Sequence, residues 1–150
     1  MPERQTLERA RRDKRQGKAP STQAGEFVRE EMEHIRQGKH GARSAKQAIA
    51  IGLSKARRAG VKLPPPAKGK TSEKTRRSAA SAYRKGQRGQ KPSSKRSRAS
   101  LRALRYEARS AASHQALSRQ ARSAAHRRSA ASRSASAKQA ARTRSQERWA

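Results

Sequence analysis

Guanidinium and ammonium groups are the side chains with which this sequence can do chemistry. Forty Lys/Arg stand against ten Asp/Glu in 150 residues, a formal net charge of +30 at pH 7. Such groups bind phosphate: they displace condensed counterions, giving an affinity that ignores base sequence and falls steeply with salt. The candidate nucleic-acid contacts begin with Lys46, Lys55, Arg57 and Arg58, on the polar side of a predicted helix. They continue through the arginine-dense second half: Arg77, Arg84, Lys85, Arg96, Arg98, Arg102, Arg105, Arg109, Arg119, Arg122, Arg127, Arg128, Arg133, Arg142 and Arg144. Tyr83, Tyr106 and Trp149 could stack on unpaired bases, but they are too scattered to form a platform.

Other chemistries lack their parts. His34, His40, His114 and His126 have neither the spacing nor the Cys or carboxylate company of a metal site, so no metal and no other cofactor is expected. There is no phosphate-cradling glycine loop, no paired carboxylates and no nucleophile–base constellation, and the chain is not expected to be an enzyme. The absence of cysteine removes disulfides and thiolate chemistry and fits a reducing compartment. The longest apolar run, residues 48–53, is too short for a signal peptide or a membrane span.

The element best placed to position cations is residues 44–60. Ser44 followed by Gln47 makes a capping box, in which the hydroxyl takes an orphan amide and Gln47 reaches back. Ile49, Leu53 and Ala56 recur on one side, filled in by Ala45, Ala48, Gly52 and Ala59, with Lys46, Gln47, Ser54, Arg57 and Arg58 opposite. Gly60 supplies the left-handed stop, with Val61 packing back on the last turn.

A helix over about residues 23–37, capped by Ser21 or Thr22, puts Ala24, Phe27, Val28, Met32 and Ile35 on one face. Folded back on the 44–60 helix it makes an antiparallel hairpin with a core of Phe27, Val28, Met32, Ile35, Ile49 and Leu53. Glu26 and Glu30 would then come near Arg57 and Arg58. A unit of about 40 residues without metal or disulfide is marginal, so the hairpin is expected to be loose or to form a homodimer. Ahead of it, residues 2–18 read as a charged, largely solvated helix with a Glu8–Arg12 pair, fraying at Gly17. The loop over about 38–43 is longer than a helix-turn-helix turn, which favours phosphate positioning over base readout.

Three prolines at 64–66 divide the chain into a module over 1–63, a polyproline spacer and a low-complexity basic tail over 67–150. Leu, Ile, Val and Phe together number 12 of 150, well below the roughly 20% under which a highly charged chain is expected to be disordered. The tetrapeptide RSAA recurs at 77–80, 109–112, 122–125 and 128–131, at irregular intervals. The expected fold class is therefore all-α: a small helical hairpin, with an added N-terminal helix, followed by a largely disordered, helix-prone basic tail.

The stretch QAGEFVREEMEHIRQGKHGARSAKQAIAIGLSKARRAGVKLPPP resembles a family of small basic bacterial proteins that carry a short domain of unknown function. Members are often labelled DNA-binding or plasmid stabilization protein. The characteristic words are SAKQAIAI from Ser44 and ARRAG from Ala56, and the likeness covers roughly residues 1–66. The tail is similar in style to those of bacterial histone-H1-like proteins, with more arginine and serine. The resemblance implies a bacterial, cytoplasmic protein with a DNA-binding label. Charge and resemblance together lead to the expectation of non-sequence-specific DNA binding, nucleoid-associated or in plasmid maintenance. RNA or ribosome binding is the nearest alternative, and a protein-interaction module localised by its tail is another. A membrane partner is not expected, because the tail has too few large apolar residues to insert.

Overall fold

Ser44 Oγ accepts the Gln47 amide at 3.2 Å, and the Gln47 side chain reaches one residue further back than the box requires, to the Arg43 amide at 2.6 Å. The helix so begun is the third of seven in the computed structural model, which describes residues 1–149. In order these are α1 Arg4–Arg15, α2 Pro20–Arg36, α3 Ala45–Arg58, α4 Glu73–Gln87, α5 Ser94–Arg105, α6 His114–His126 and α7 Ala130–Trp149. A 3-10 turn covers Ser110–Ala112. By packing, the chain divides into one compact unit over Met1–Ser113 and a second from His114 onward.

In the first unit α2 packs on both α1 and α3, and α3 packs on α4. The seam of α3 is its row of small residues, Ala45, Ala48, Gly52 and Ala56. A Cβ on Gly52 would stand 2.6 Å from Val28 Cα, so the two backbones touch at this crossing. Because the small residues take the centre, Ile49 and Leu53 flank it and are half-buried, as is Val28. Phe27, Met32 and Ile35 are buried. Phe27 gathers Ala10, Ala24, Ala56 and Val61 around it, with Leu7, Leu53 and Leu63 against that cluster.

The end of α3 follows its sequence. Gly60 adopts φ +95°, and the Val61 amide donates to the Ala56 carbonyl at 3.1 Å, the long bond of a Schellman closure. The Arg57 guanidinium folds over the exit, donating to the carbonyls of Leu63 and Pro64 at 3.2 and 3.1 Å. The three prolines are thus an extended connection inside the first unit.

Several expectations are corrected. The N-terminal helix is not largely solvated: Thr6, Ala10 and Asp13 are buried. Arg9 pairs with Glu26 at 2.7 Å, and the Glu3 amide donates to Glu30 at 2.8 Å. Glu8 pairs with Arg4, not Arg12. Neither Ser21 nor Thr22 caps α2, because Pro20 takes the first helical position, where its missing N–H costs nothing. With Glu26 turned to α1 and Glu30 holding the N-terminus, Arg57 and Arg58 do not receive them.

The largest correction concerns the tail, which is helical and not disordered. Counting large apolar residues misses the reason. α4 docks on α3 through Ala79, Ala82 and Gly86, and a Cβ on Gly86 would overlap the Arg57 carbonyl oxygen. Serines that read as low-complexity filler are helix starts. Ser72 Oγ accepts the Thr75 amide at 3.2 Å, Ser93 Oγ the Arg96 amide at 3.4 Å, and Ser129 Oγ the Ser132 amide at 3.1 Å. The last turn of α5 and the segment after it are held as well: the Gly41 and Ala42 amides donate to the carbonyls of Leu104 and Ala108 at 2.8 and 3.0 Å. Arg36 Nε ties the 3-10 turn to α2 through the Ala112 carbonyl at 3.1 Å.

In the second unit α6 and α7 bury no residue. Their connection is held by arginine: Arg133 Nη1 donates to the Ala125 carbonyl at 3.1 Å and Arg128 Nε to Ser132 Oγ at 3.2 Å.

Candidate nucleic-acid interface and a buried polar cluster

Of the nineteen cations singled out from sequence, fifteen are exposed: Lys46, Arg77, Arg84, Arg96, Arg98, Arg102, Arg105, Arg109, Arg119, Arg122, Arg127, Arg128, Arg133, Arg142 and Arg144. Helical spacing orders them. On α5, Lys95, Arg98, Arg102 and Arg105 recur at three- and four-residue steps, which places them on one face about 15 Å long at 1.5 Å per residue. On α4, Lys74, Arg77 and Arg84 share a side, continued by Arg88 at the cap and opposite the docked Ala79, Ala82 and Gly86. α5 and α6 contain no carboxylate, and α5 buries no residue.

The remaining four fall away from solvent. Arg57 is buried, and burial pulls its guanidinium below the usual arginine range; both of its bonds go to main-chain carbonyls. Placing it with Lys46 on the polar side of α3 is therefore corrected: it closes the chain exit. Lys55 is half-buried and bonds Glu31. Arg58 and Lys85 are half-buried.

The carboxylates meanwhile are taken up within the protein. Glu26, Glu33, Asp13 and Glu73 pair with Arg9, Arg29, Lys18 and Arg76. Glu3 meets His34 at 2.9 Å and Lys39 at 3.2 Å, and these two neighbours, His34 first, hold its carboxyl below the ordinary carboxylate range. The exposed cations keep their field because they far outnumber the carboxylates, of which Asp13, Glu30 and Glu31 are buried.

Glu31, His34 and His40 form a centre that the sequence reading did not foresee. The Glu31 side chain is fully buried, those of His40 and His34 are 4% and 13% exposed, and a ligand atom of each lies within 4.8 Å of the other two. Helix geometry puts Glu31 and His34 on one face, and the turn at Gly38 brings His40 back to them. The two rings stand 6.0 Å apart and nearly perpendicular. His40 Nε2 faces Glu31 Oε2 at 3.1 Å, while Lys55 bonds Glu31 Oε1. Oε2 of Glu31 and Oε2 of Glu30 are buried without a hydrogen-bond partner. The available signal was a Glu-x-x-His step followed by Gly-x-His across a helix end.

Residues 16–68 match a family of unknown function, DUF6496. The match takes in α2, α3 and the prolines, and with them Glu31, His34, His40 and Lys55. No curated protein and no solved structure matches the chain.

Proposed function

We propose that this protein binds nucleic acid, duplex DNA first, without sequence specificity and through arginine-bearing helical faces. The observation that carries the reading is α5: Lys95, Arg98, Arg102 and Arg105 line one side of a helix that buries nothing and contains no carboxylate. Leu101 and Leu104 occupy the other side of α5, so the four cations are left together on its outer face, where they repel one another until an anion lies along them. A phosphate backbone is such an anion, regular and extended. α4 offers a similar row in Lys74, Arg77, Arg84 and Arg88, and α6 and α7 add exposed arginines of their own.

The packed helices α1–α3 are scaffold in this reading, and the exposed rows are the interface. The likeness of roughly residues 1–66 to bacterial proteins labelled DNA-binding adds a nucleoid-associated or plasmid-maintenance role in the cytoplasm. The test is the salt dependence of duplex binding by the full chain. With about eight phosphate contacts, log K falls against log salt with a slope of about −7, equally for unrelated sequences. A shallow slope, or strong preference for one sequence, overturns the reading. Tighter binding to structured RNA than to DNA of equal length would move the substrate class.

A further inference from the structure

We propose that Glu31, His34 and His40 hold a divalent transition-metal ion of the zinc class. The argument begins with what the other nitrogen of each imidazole is doing. His40 Nδ1 lies 2.9 Å from the Gly41 carbonyl oxygen, which can only accept, so Nδ1 carries the proton. In the neutral ring the Nε2 lone pair then points at Glu31 Oε2, 3.1 Å away. Two lone pairs facing at that distance repel, and the Glu31 oxygen has no hydrogen bond to relieve it. A cation between them turns both into ligands.

His34 repeats the arrangement with its nitrogens exchanged. Nε2 lies 2.9 Å from the Glu3 carboxylate and donates its N–H to it, and Nδ1 faces Glu31 Oε1 at 4.0 Å. Metal-bound histidines are oriented in this way, the second nitrogen donating to a carboxylate in one case and a main-chain carbonyl in the other. The Lys55 bond to Glu31 Oε1 fixes the carboxylate and leaves Oε2 as the inward donor.

Size and donor type select the ion. Bonds of about 2.0–2.1 Å in tetrahedral geometry put donor atoms about 3.3 Å apart. His40 Nε2 and Glu31 Oε2 stand 3.1 Å apart, and ligand atoms of the three residues all lie within 4.8 Å of one another, so closure needs side-chain rotation and no backbone rearrangement. Two imidazoles and one carboxylate suit zinc and its neighbours over magnesium or calcium, which prefer all-oxygen shells. Three protein ligands leave the fourth position to water. The buried Glu30 Oε2, also without a partner, adds negative charge close by, since Glu30 Oε1 is 3.6 Å from His34 Nε2.

The experiment is calorimetric titration of Zn2+ into the full chain freed of nucleic acid, with thermal melting beside it. One ion per chain is taken up saturably and Tm rises with Zn2+ concentration, as binding to the folded state requires. Co2+ in the same site gives the visible absorption of a tetrahedral ion. His40→Gln abolishes saturable uptake. Glu3→Gln alters an exposed residue outside the three ligands and weakens uptake by about 10–100-fold. Replacing both His114 and His126 by Gln changes nothing. No saturable one-to-one uptake by the unaltered chain overturns the proposal, whatever the variants do. So does full affinity in His40→Gln, or loss of affinity in the His114/His126 variant. None of these outcomes depends on DNA binding.

Discussion

The tetrapeptide Arg-Ser-Ala-Ala at residues 77–80 and its copy at 128–131 have identical chemistry and opposite surroundings. In the first, on α4, Ala79 is buried and Ala80 half-buried against the packed helices. In the second, at the start of α7, all four residues are exposed. The first segment lies within α4 and the second leads into α7, which starts at Ala130 behind Ser129, so helix formation does not require docking here: alanine and arginine favour it, and serines cap it. What docking requires is a partner surface. α3 presents a ridge low enough for Gly86 to lie directly on the Arg57 carbonyl. One composition therefore serves as core or as solvent-facing rod according to what lies opposite.

The largest effect that separates the regions comes from removing the anchor of the packed one. Phe27→Ala should cost about 3–5 kcal/mol and melt α1–α4 together, while α6 and α7 of the same chain keep their amide protection; hydrogen exchange resolved along the chain reads this out. A sharper contrast uses the two copies themselves. Ala79→Lys should destabilise the first unit by about 1–3 kcal/mol, because α4 must lift from α3 to solvate the charge. Ala130→Lys should change Tm by no more than the scatter of surface substitutions, about 0.5 kcal/mol. Equal effects would break the comparison.

Capping gives a smaller, shared effect. Ser72→Ala and Ser93→Ala should each cost about 1 kcal/mol of local helix stability, read by amide exchange in the first turns of α4 and α5. Arg102→Gln should leave Tm unchanged and reduce the salt slope of DNA binding by about 0.9. The least effect is in acid. His34 and Lys39 hold the Glu3 carboxyl below the ordinary glutamate value, so the unfolded chain takes up that proton first as pH falls. Its contribution is complete above that value and is lost as pH drops through the lower, folded one. Glu3→Gln should flatten only the acid limb of a Tm–pH curve.

How much of this was legible depended on whether the signal was local. Ser44, Gln47 and Gly60 act within a few residues, and α3 begins and ends as they indicate. Phe27, Met32 and Ile35 are large, periodic and buried. Illegible features depend on small residues or on contacts distant in sequence. Ala79 and Gly86 carry no hydropathy worth counting, yet they dock α4. Arg57 looks like a surface cation until the carbonyls of Leu63 and Pro64 come round to it. His34 and His40 have no metal-site spacing on a straight helix, and only the reversal at Gly38 makes them neighbours. The capping serines of the tail, Ser72, Ser93 and Ser129, are hidden among many others of the same composition, and only their position at a helix start distinguishes them.

The rods that bury nothing can also change length freely. Inserting four residues into a packed helix such as α3 would carry every later side chain about 6 Å along the axis and about 40° round it, out of register with its seam. In α7, no such register exists to lose. Each further Arg-Ser-Ala-Ala unit would lengthen the rod by about 6 Å and add one positive charge. Such a change would pass the fold unopposed. Reach along a polyanion would then vary by small, heritable steps while the α1–α4 body stays as it is.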